Sequence, residues 1–537
     1  MKMNETNLTN KAEWEKLGVA LPKFDHAAMS AATKKSPVWV HFGAGNIFRG
    51  FIAVLQQKLL NEGITDKGII AADTFDYDIV DKIYTPFDNL TMMVSLNPDG
   101  STSREIVGSV AEALRADSND AQQIARFKEI FENAALQMVS FTITEKGYAL
   151  YNLNGEFLPV VKADIADGPS KARHAMSLVT AFLLARYTAG AAPLAVVSMD
   201  NCSHNGEKLR SSVQTIAKQW LDGGFVDDGF ISYISDEARV SFPWSMIDKI
   251  TPRPAEVVEK SLADDGIEDM APIVTSKNTF IAPFVNAEVP QYLVVEDNFP
   301  NGRPELEKAG VYLTDRETVN NTERMKVTTC LNPLHTALAV YGCTLGYTSI
   351  ASEMNDEQLV AMVKKIGYDE GMPVVVDPKI LSPKAFIDEV IEKRLPNPFI
   401  PDTPQRIATD TSLKVGIRFG ETIKSYLANP ALDVTTLTAI PLALAGWMRY
   451  LLAVDDNCQP MEVSSDPQKD ALQAKLAGIT VGKPETYNGQ LKEILTNASL
   501  FGTDLCAAGL CEKIEAMFVD MLAGEGAVRA TLKKYLA

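Results

Sequence analysis

Cysteine and histidine are scarce in this chain, and neither falls at the spacing of a metal site. The 537 residues include six cysteines and five histidines, with no Cys-x-x-Cys pair among them. This pattern disfavours structural zinc and a zinc-dependent alcohol dehydrogenase mechanism, so we predict that the protein has no metal site. It also predicts a reduced, cytoplasmic protein without disulfides.

Long apolar runs are absent as well. Residues 1–18 are polar and charged, which argues against a secretory signal. The most apolar stretch, residues 437–454, is interrupted by Pro441 and Arg449. A buried helix is therefore favoured there over a transmembrane span, and we expect no membrane partner.

Positive charge is in deficit. Lysine and arginine together number 51 against 69 acidic residues, which gives a net charge of −18. This balance argues against nucleic acid or an anionic membrane as a partner. We expect a small-molecule substrate, and an anionic one would need a local cluster of lysine and arginine. We further expect a monomer or a small homo-oligomer.

The chain is too long for one compact core, and its two parts differ in pattern. Short apolar runs alternate with helical runs in the first part, which predicts an α/β fold with a doubly wound parallel sheet. From about residue 317 helical patterns dominate. We predict an α/β domain over residues 1–315 and a mainly α-helical domain over residues 316–537. The predicted strands are residues 37–42, 68–72, 136–142 and 194–198, and the predicted helices of the first part include residues 48–63 and 170–188.

The turn after the first predicted strand contains Gly43-Ala-Gly45. Two glycines at this spacing allow a tight strand-to-helix turn and a close approach of backbone N–H groups to a pyrophosphate. The third glycine of the usual fingerprint is replaced by Phe48, so the motif is incomplete. Gly43, Gly45 and Asn46 are candidate cofactor ligands. Arg49 is either a pyrophosphate ligand or a surface charge.

An acidic residue directly follows the second predicted strand. Asp73 at this position would hold the ribose hydroxyls of NAD and repel the additional phosphate of NADP. Asp76 is the alternative ribose ligand. The other interpretation of Asp73 is a solvated turn residue.

Polar residues also follow the third and fourth predicted strands. Thr144 and Glu145 come after residues 136–142, and Asn201 comes after residues 194–198. Ligands of a doubly wound sheet meet the loops at the carboxyl ends of the strands, so these side chains are candidate cofactor or substrate ligands. Ordinary loop capping is the alternative.

Lys326, Asn332 and His335 fall within ten residues at the start of a predicted buried helix. A buried lysine can transfer protons if its pKa approaches neutrality, and an amide can donate to an oxygen that becomes negative. Histidine can bind a sugar hydroxyl. The set is suited to hydride transfer at an alcohol carbon, although a long helix can carry the same residues without function.

Motifs in this order resemble the mannitol dehydrogenase family of polyol-specific long-chain dehydrogenases. The likeness covers roughly residues 38–455 and implies an N-terminal Rossmann-like domain, a helical C-terminal domain, bound NAD and no metal. The stretch that ends at His335 is most similar to the fructuronate reductases, or D-mannonate oxidoreductases, of that family. The motifs are Gly43-Ala-Gly45 with Arg49, Thr144-Glu-Lys-Gly-Tyr148, Asp200-Asn201, Asp248, Lys326, Asn332-x-x-His335, Arg406 and Ala445-x-Trp447.

The resemblance also implies roles for site residues. Lys326 would exchange a proton with the C5 hydroxyl of D-mannonate, while Asn201 and Asn332 stabilise the charge on its oxygen. His335 would bind a neighbouring hydroxyl. Arg406 would bind the carboxylate, unless it is a helix-surface residue.

Asp248 has two interpretations within the family likeness: it would bind a substrate hydroxyl or orient a catalytic side chain, or it would hold the domain interface. Three other activities remain open. Mannitol 2-dehydrogenase and tagaturonate reductase belong to the same family, and a non-catalytic NAD-binding sensor represents another class.

One departure from the family pattern lies between Lys326 and Asn332, where this chain has one more residue than the family. Pro333 follows, and proline lacks the N–H that a continuous helix requires. The sequence therefore predicts a kink or π-bulge around residues 328–332. Alternatively, Asn332 caps a new helix with Pro333 at its first position.

Overall fold

The computed structural model describes residues 1–97, 99–152 and 154–537. The chain forms two compact units. The first comprises Met1–Asn97 and Ser101–Asn320, and the second includes Asn321–Ala537. Each is described by itself below.

The first unit is built on a six-stranded, fully parallel sheet. Counted along the chain, its strands lie in the order 3-2-1-4-5-6, the order of a Rossmann-type dinucleotide-binding fold. The order reverses between the first and fourth strands, where ligands bind in such folds. The predicted α/β fold is confirmed. The strands, in spatial order, are β6 (Val110–Arg115), β3 (Ile69–Asp73), β2 (Trp39–Phe42), β7 (Met138–Phe141), β8 (Leu194–Ser198) and β9 (Val240–Ser241).

Both faces of this sheet are buried, so its strands are continuous apolar runs. In β2, Val40 and Phe42 pack into one hydrophobic core, and Trp39 packs into the other. The four strands predicted from such runs are therefore confirmed, and residues 194–198 match β8 in full.

Nine further strands lie among the described residues of the first unit. A mixed sheet has the order β1-β5-β4-β13, a second sheet has the order β10-β14-β15, and β11 pairs with β12. Most of these strands are short or only half-buried, so they lack a continuous apolar run. They are β1 (Val19–Ala20), β4 (Thr91–Leu96), β5 (Thr102–Val107), β10 (Ser245–Asp248), β11 (Ile273–Val274), β12 (Phe280–Ile281), β13 (Phe284–Glu288), β14 (Tyr292–Glu296) and β15 (Tyr312–Thr314).

Helices cover the main sheet. The helix predicted over residues 48–63 is a π-helical turn, Phe48–Ile52, continued by α3. The helix predicted over residues 170–188 begins later, as α8, because His174 caps its start by accepting a hydrogen bond from the Met176 N–H. The α-helices are α1 (Lys11–Lys16), α2 (His26–Lys35), α3 (Ala53–Asn61), α4 (Tyr77–Ile79), α5 (Ala121–Glu132), α6 (Thr144–Tyr148), α7 (Pro159–Asp167), α8 (Ala175–Thr188), α9 (Asn205–Asp222), α10 (Asp228–Ser235), α11 (Glu256–Asp264) and α12 (Arg316–Met325), the last of which ends in the second unit.

The second unit is helical, as predicted, and α13 packs against α15, α17 and α19. Gly446 of α19 makes room for the Tyr341 ring of α13, because an added Cβ would lie 2.5 Å from that ring. The helices are α13 (Asn332–Leu345), α14 (Ile350–Glu353), α15 (Glu357–Lys364), α16 (Pro383–Glu389), α17 (Pro404–Ile407), α18 (Glu421–Ala428), α19 (Ala439–Tyr450), α20 (Lys469–Lys475), α21 (Leu491–Leu495), α22 (Ala498–Phe501), α23 (Cys511–Asp520) and α24 (Ala527–Leu536).

The sequence predicted neither a disulfide nor a transmembrane span. The expectation of no disulfide is wrong, because Cys506 and Cys511 are bonded. Their sequence separation is five residues, so the pair lacks the Cys-x-x-Cys spacing. Within the apolar stretch of residues 437–454, Ala439–Tyr450 form the buried helix α19, as predicted. None of the helices in the described residues has both the length and the apolar character of a transmembrane span.

Candidate active site

The glycine-rich turn lies at the carboxyl end of β2, beside the point where the strand order reverses. Gly43 adopts φ +101°, and a Cβ there would lie 2.1 Å from the Thr142 carbonyl oxygen. Only glycine therefore allows this turn to approach the loop after β7. At Gly45 an added Cβ would meet nothing within 4 Å, so the second glycine borders open space.

Asp73 ends β3 and is buried, so the alternative of a solvated turn residue is wrong. Its carboxylate accepts hydrogen bonds from the backbone N–H groups of Ala44 (3.2 Å), Phe75 (2.8 Å) and Asp76 (2.7 Å). Burial raises the pKa of Asp73 above its usual value, although the three donors favour the charged form. The acid thus ties the glycine-rich turn to the loop after β3.

Asp76 is also buried, and its Oδ2 accepts a hydrogen bond from the Thr275 hydroxyl at 2.6 Å. Its Oδ1 has no hydrogen-bond partner among the described residues. Asp73 and Asp76 therefore lie on one loop, and both remain candidates for the ribose.

Arg49 is completely buried, so the interpretation as a surface charge is wrong. Its guanidinium donates to the Ala282 carbonyl oxygen at 2.7 Å and to Asn46 Oδ1 at 2.8 Å. Burial lowers the pKa of Arg49 to about 10. Because Asn46 also donates to the Pro252 carbonyl oxygen at 3.2 Å, Arg49 and Asn46 together fix the end of the glycine-rich turn.

Asp200 organises the loops after β7 and β8. Its carboxylate accepts hydrogen bonds from the backbone N–H groups of Ile143 and Thr144, both at 2.9 Å, and from the Tyr148 hydroxyl at 2.6 Å. Thr144 has φ +64°, and the Asp200 contacts stabilise that unusual backbone. Loop capping, the alternative that the sequence offered for this stretch, therefore describes Asp200, which stands beside the candidate Asn201.

The other candidates of the first unit lie on the same loops or at a strand end. Glu145 is exposed and forms an ion pair with Lys208 of α9. Asn201 is exposed in the loop after β8. Asp248 is buried at the end of β10. The geometry thus gathers Gly43, Asp73, Thr144 and Asn201 on loops that follow four parallel strands.

In the second unit, Lys326 is buried with 2% of its surface exposed. It begins a π-helical turn, Lys326–Cys330, whose closing bond runs from the Leu331 N–H to the Lys326 carbonyl oxygen at 3.1 Å. The predicted π-bulge is confirmed. The alternative cap is displaced by one residue, because Leu331 occupies the N-cap and Asn332 is the first residue of α13.

His335 lies on α13 beside an acid that was not recognised in the sequence. His335 Nε2 is 3.4 Å from Asp402 Oδ2, within ion-pair range but longer than a strong hydrogen bond. Arg406 also pairs with Asp402, and 62% of its side chain is exposed. Burial alone would raise the pKa of Asp402, but His335 and Arg406 outweigh it and lower that pKa below its ordinary value. The i, i+4 spacing of Asp402 and Arg406 is the sequence signal for this pair.

Two further cationic side chains, Arg418 and Lys414, belong to the segment that contacts the first half of α13. Arg418, on the π-helical turn Gly416–Gly420, donates from Nη1 to the Thr336 hydroxyl. The Lys414 ammonium donates to the backbone carbonyl oxygens of Thr409 and Ile407. Burial, followed by the charge of Arg418, lowers the pKa of Lys414. Within the described residues, no cluster of three or more histidine, cysteine or acidic side chains has the arrangement of a metal site.

Family models match most of the chain. Residues 38–308 match the mannitol dehydrogenase Rossmann domain, and residues 318–522 match the mannitol dehydrogenase C-terminal domain. The chain is 51% identical to a D-mannonate oxidoreductase of Thermotoga maritima, and the alignment covers 99% of both proteins.

Two solved structures resemble the chain over nearly its whole length. A substrate-free D-sorbitol dehydrogenase is 25% identical with a TM-score of 0.80, and 99% of this chain and 100% of that one are covered. The mannitol 2-dehydrogenase of Pseudomonas fluorescens, in a ternary complex with NAD and D-mannitol, is 26% identical with a TM-score of 0.71, and 100% and 99% are covered. The chain therefore belongs to the mannitol dehydrogenase family.

Proposed function

We propose that this protein is an NAD-dependent D-mannonate oxidoreductase, or fructuronate reductase, which interconverts D-mannonate and D-fructuronate at C5. The observation that carries the proposal is the 51% identity to a D-mannonate oxidoreductase along the whole chain. Identity to the D-sorbitol dehydrogenase and mannitol 2-dehydrogenase structures is about half as high, at 25% and 26% respectively. The sugar acid is therefore favoured over the neutral polyol.

The first unit offers residues that fit NAD. A Cβ at Gly43 would fill the narrow gap to the Thr142 backbone, whereas Gly45 borders open space that a pyrophosphate can use. Bound NAD accepts the hydride in the oxidative direction. Gly43, Gly45 and Asn46 would face its pyrophosphate, and Asp73 would hold the ribose and favour NAD over NADP.

Three further residues of the first unit belong to the same proposal. Arg49 acts on the cofactor through Asn46, since its guanidinium is already bonded to that amide. Thr144 and Glu145 would border the nicotinamide side, because they begin the loop after β7 at the reversal of strand order.

Lys326 would transfer the proton of the C5 hydroxyl. Its side chain is buried. The π-helical turn accommodates the extra residue between Lys326 and Asn332, and Leu331 separates that turn from α13. Asn332 would donate a hydrogen bond to the oxygen as it gains negative charge, and His335, held beside Asp402, would bind a neighbouring hydroxyl.

Asp248 and Arg406 have different parts in the proposal. Asp248 is a buried acid at a strand end, suited to accept a hydrogen bond from a sugar hydroxyl. Arg406 shares Asp402 with His335, so it would position the histidine.

The proposal is tested with D-mannonate that carries deuterium at C5 and with NAD. We expect the deuterium to appear in the reduced nicotinamide and the product to be D-fructuronate. Deuterium that remains in the sugar acid while NAD is reduced would place the oxidation at another carbon. Binding of NAD without turnover of any sugar acid, polyol or ketose would instead indicate a non-catalytic sensor.

A further inference from the structure

Arg418 belongs to a segment that is fixed to the turn of Lys326. The π-helical turn Gly416–Gly420 packs against the turn Lys326–Cys330 and against α13. One turn further along the chain, the Thr422 hydroxyl donates to the Thr328 carbonyl oxygen at 3.4 Å. The position of Arg418 relative to the Lys326 turn is therefore set by backbone packing.

The guanidinium of Arg418 reaches the first turn of α13. Its Nη1 donates to the Thr336 hydroxyl, and that hydroxyl donates in turn to the Asn332 carbonyl oxygen at 3.0 Å. Thr336 directly follows His335. Arg418 is thus connected by two hydrogen bonds to the residue proposed to stabilise the reacting oxygen.

This guanidinium has no acidic partner in the part of the chain that the structure describes. Burial lowers its pKa to about 10, and no carboxylate offsets that effect. Two acids of this unit have other partners: Asp402 pairs with Arg406, and Asp466 accepts a hydrogen bond from the Ser412 N–H at 2.7 Å. A partly desolvated positive charge without a counterion is costly, and a bound anion would remove that cost.

Lys414 adds a second positive charge. The charges of Arg418 and Arg406 both act on Lys414 to lower its pKa, beyond the effect of burial, while Asp410 and Asp466 act in the opposite direction. The Lys414 ammonium has two backbone carbonyl acceptors, so it contributes charge without a carboxylate hydrogen bond of its own. Arg406 differs from Arg418, because it is exposed and already paired.

We propose that Arg418, supported by the charge of Lys414, binds the carboxylate of the sugar-acid substrate, and that Arg406 instead positions Asp402 and His335. This inference rests on the proposed function, because it assigns a ligand to the one group that distinguishes a sugar acid from a polyol. A guanidinium held at one nitrogen by Thr336 retains other N–H donors for a carboxylate.

The test compares the wild type with Arg418→Gln and Arg418→Lys in the reduction of D-fructuronate and of D-fructose by NADH. We expect Arg418→Gln to raise the KM for D-fructuronate by about ten- to a hundred-fold, with kcat/KM for D-fructose unchanged or increased. The KM of Arg418→Lys for D-fructuronate should lie between those of the wild type and Arg418→Gln, because lysine keeps the charge but lacks the planar pair of donors. Lys424→Met is the matched control, since Lys424 lies on the following helix, is partly exposed and pairs with Glu421.

Each outcome separates the inference from the proposed function. A wild type without activity on D-fructuronate would contradict the proposed function. A wild type that reduces D-fructuronate, with a KM that Arg418→Gln leaves unchanged, would contradict the inference alone. Equal losses of kcat/KM for D-fructuronate and D-fructose would also contradict the inference, because they would indicate a structural role for Arg418. If Arg418→Gln fails to bind NADH or to melt cooperatively, the folded Arg418→Lys variant is used instead. A lower ratio of kcat/KM for D-fructuronate to kcat/KM for D-fructose than in the wild type then supports the inference, and an unchanged ratio contradicts it.

Discussion

Glu353 is a buried acid that the protein holds without a hydrogen-bond partner. It ends α14 with no exposed surface, and neither carboxyl oxygen finds a donor among the described residues. The carboxyl packs so closely against α13 that a Cβ at Gly342 would lie 2.0 Å from Oε1. Burial, followed by the charge of Asp356, raises the pKa of Glu353 from 4.5 to about 9. The folded protein therefore keeps this group protonated near neutral pH.

A raised pKa in an acid lowers stability as the pH rises. Below the unfolded-state value of 4.5 both states are protonated; between 4.5 and about 9 only the unfolded state loses its proton. Each pH unit in that window lowers the free energy of unfolding by about 1.4 kcal/mol, which amounts to roughly 3 kcal/mol by pH 7. Glu353→Gln keeps the shape and abolishes the titration. The free energy of unfolding of the variant, relative to that of the wild type, should therefore rise by about 2 kcal/mol from about pH 5.5 to about pH 7.

Denaturant unfolding of both proteins at these two pH values, with the transition of the helical unit followed separately, measures this difference. Comparing two pH values cancels any fixed cost of the amide. Glu357→Gln is the control, because Glu357 is exposed four residues further along. A Glu353→Gln effect that is the same at both pH values would show that the buried carboxyl does not stay protonated, and the reasoning would fail.

Three other changes test the proposed site. Lys326→Ala should lower kcat by about 10²- to 10⁴-fold while NADH affinity, measured by fluorescence titration, changes little; full turnover would remove its role in proton transfer. Asp73→Ala should reduce the preference for NAD over NADP in kcat/KM, and an unaltered ratio would redirect attention to Asp76. Asp402→Asn should lower kcat/KM by about ten-fold through loss of the charge beside His335, and unchanged kinetics would exclude that positioning role.

Much of the main sheet could be predicted because its strands are buried on both faces. The run Leu194–Ser198 is apolar up to its last residue, and it forms a strand with those bounds. In contrast, Thr102–Val107 carries exposed and half-buried residues, so its sequence resembles that of a loop. Its partner β1 is remote in the sequence, and no local pattern reveals that pairing.

The same contrast holds for the candidate site. Pro333 and the extra residue before Asn332 are local signals, and they predicted the π-helical turn at Lys326. The contact of Arg418 with Thr336 spans 82 residues, and the burial of Arg49 depends on a carbonyl group more than 200 residues away. Such contacts depend on tertiary packing, which the sequence pattern does not encode locally.

The most direct test of the proposed function compares D-fructuronate, D-tagaturonate and D-fructose as substrates for NADH oxidation by the purified protein. Our proposal predicts the highest kcat/KM for D-fructuronate, by at least about ten-fold over each of the others. A preference for D-tagaturonate would keep a sugar-acid reductase but change its substrate. A preference for D-fructose would contradict the proposed function and indicate a mannitol 2-dehydrogenase.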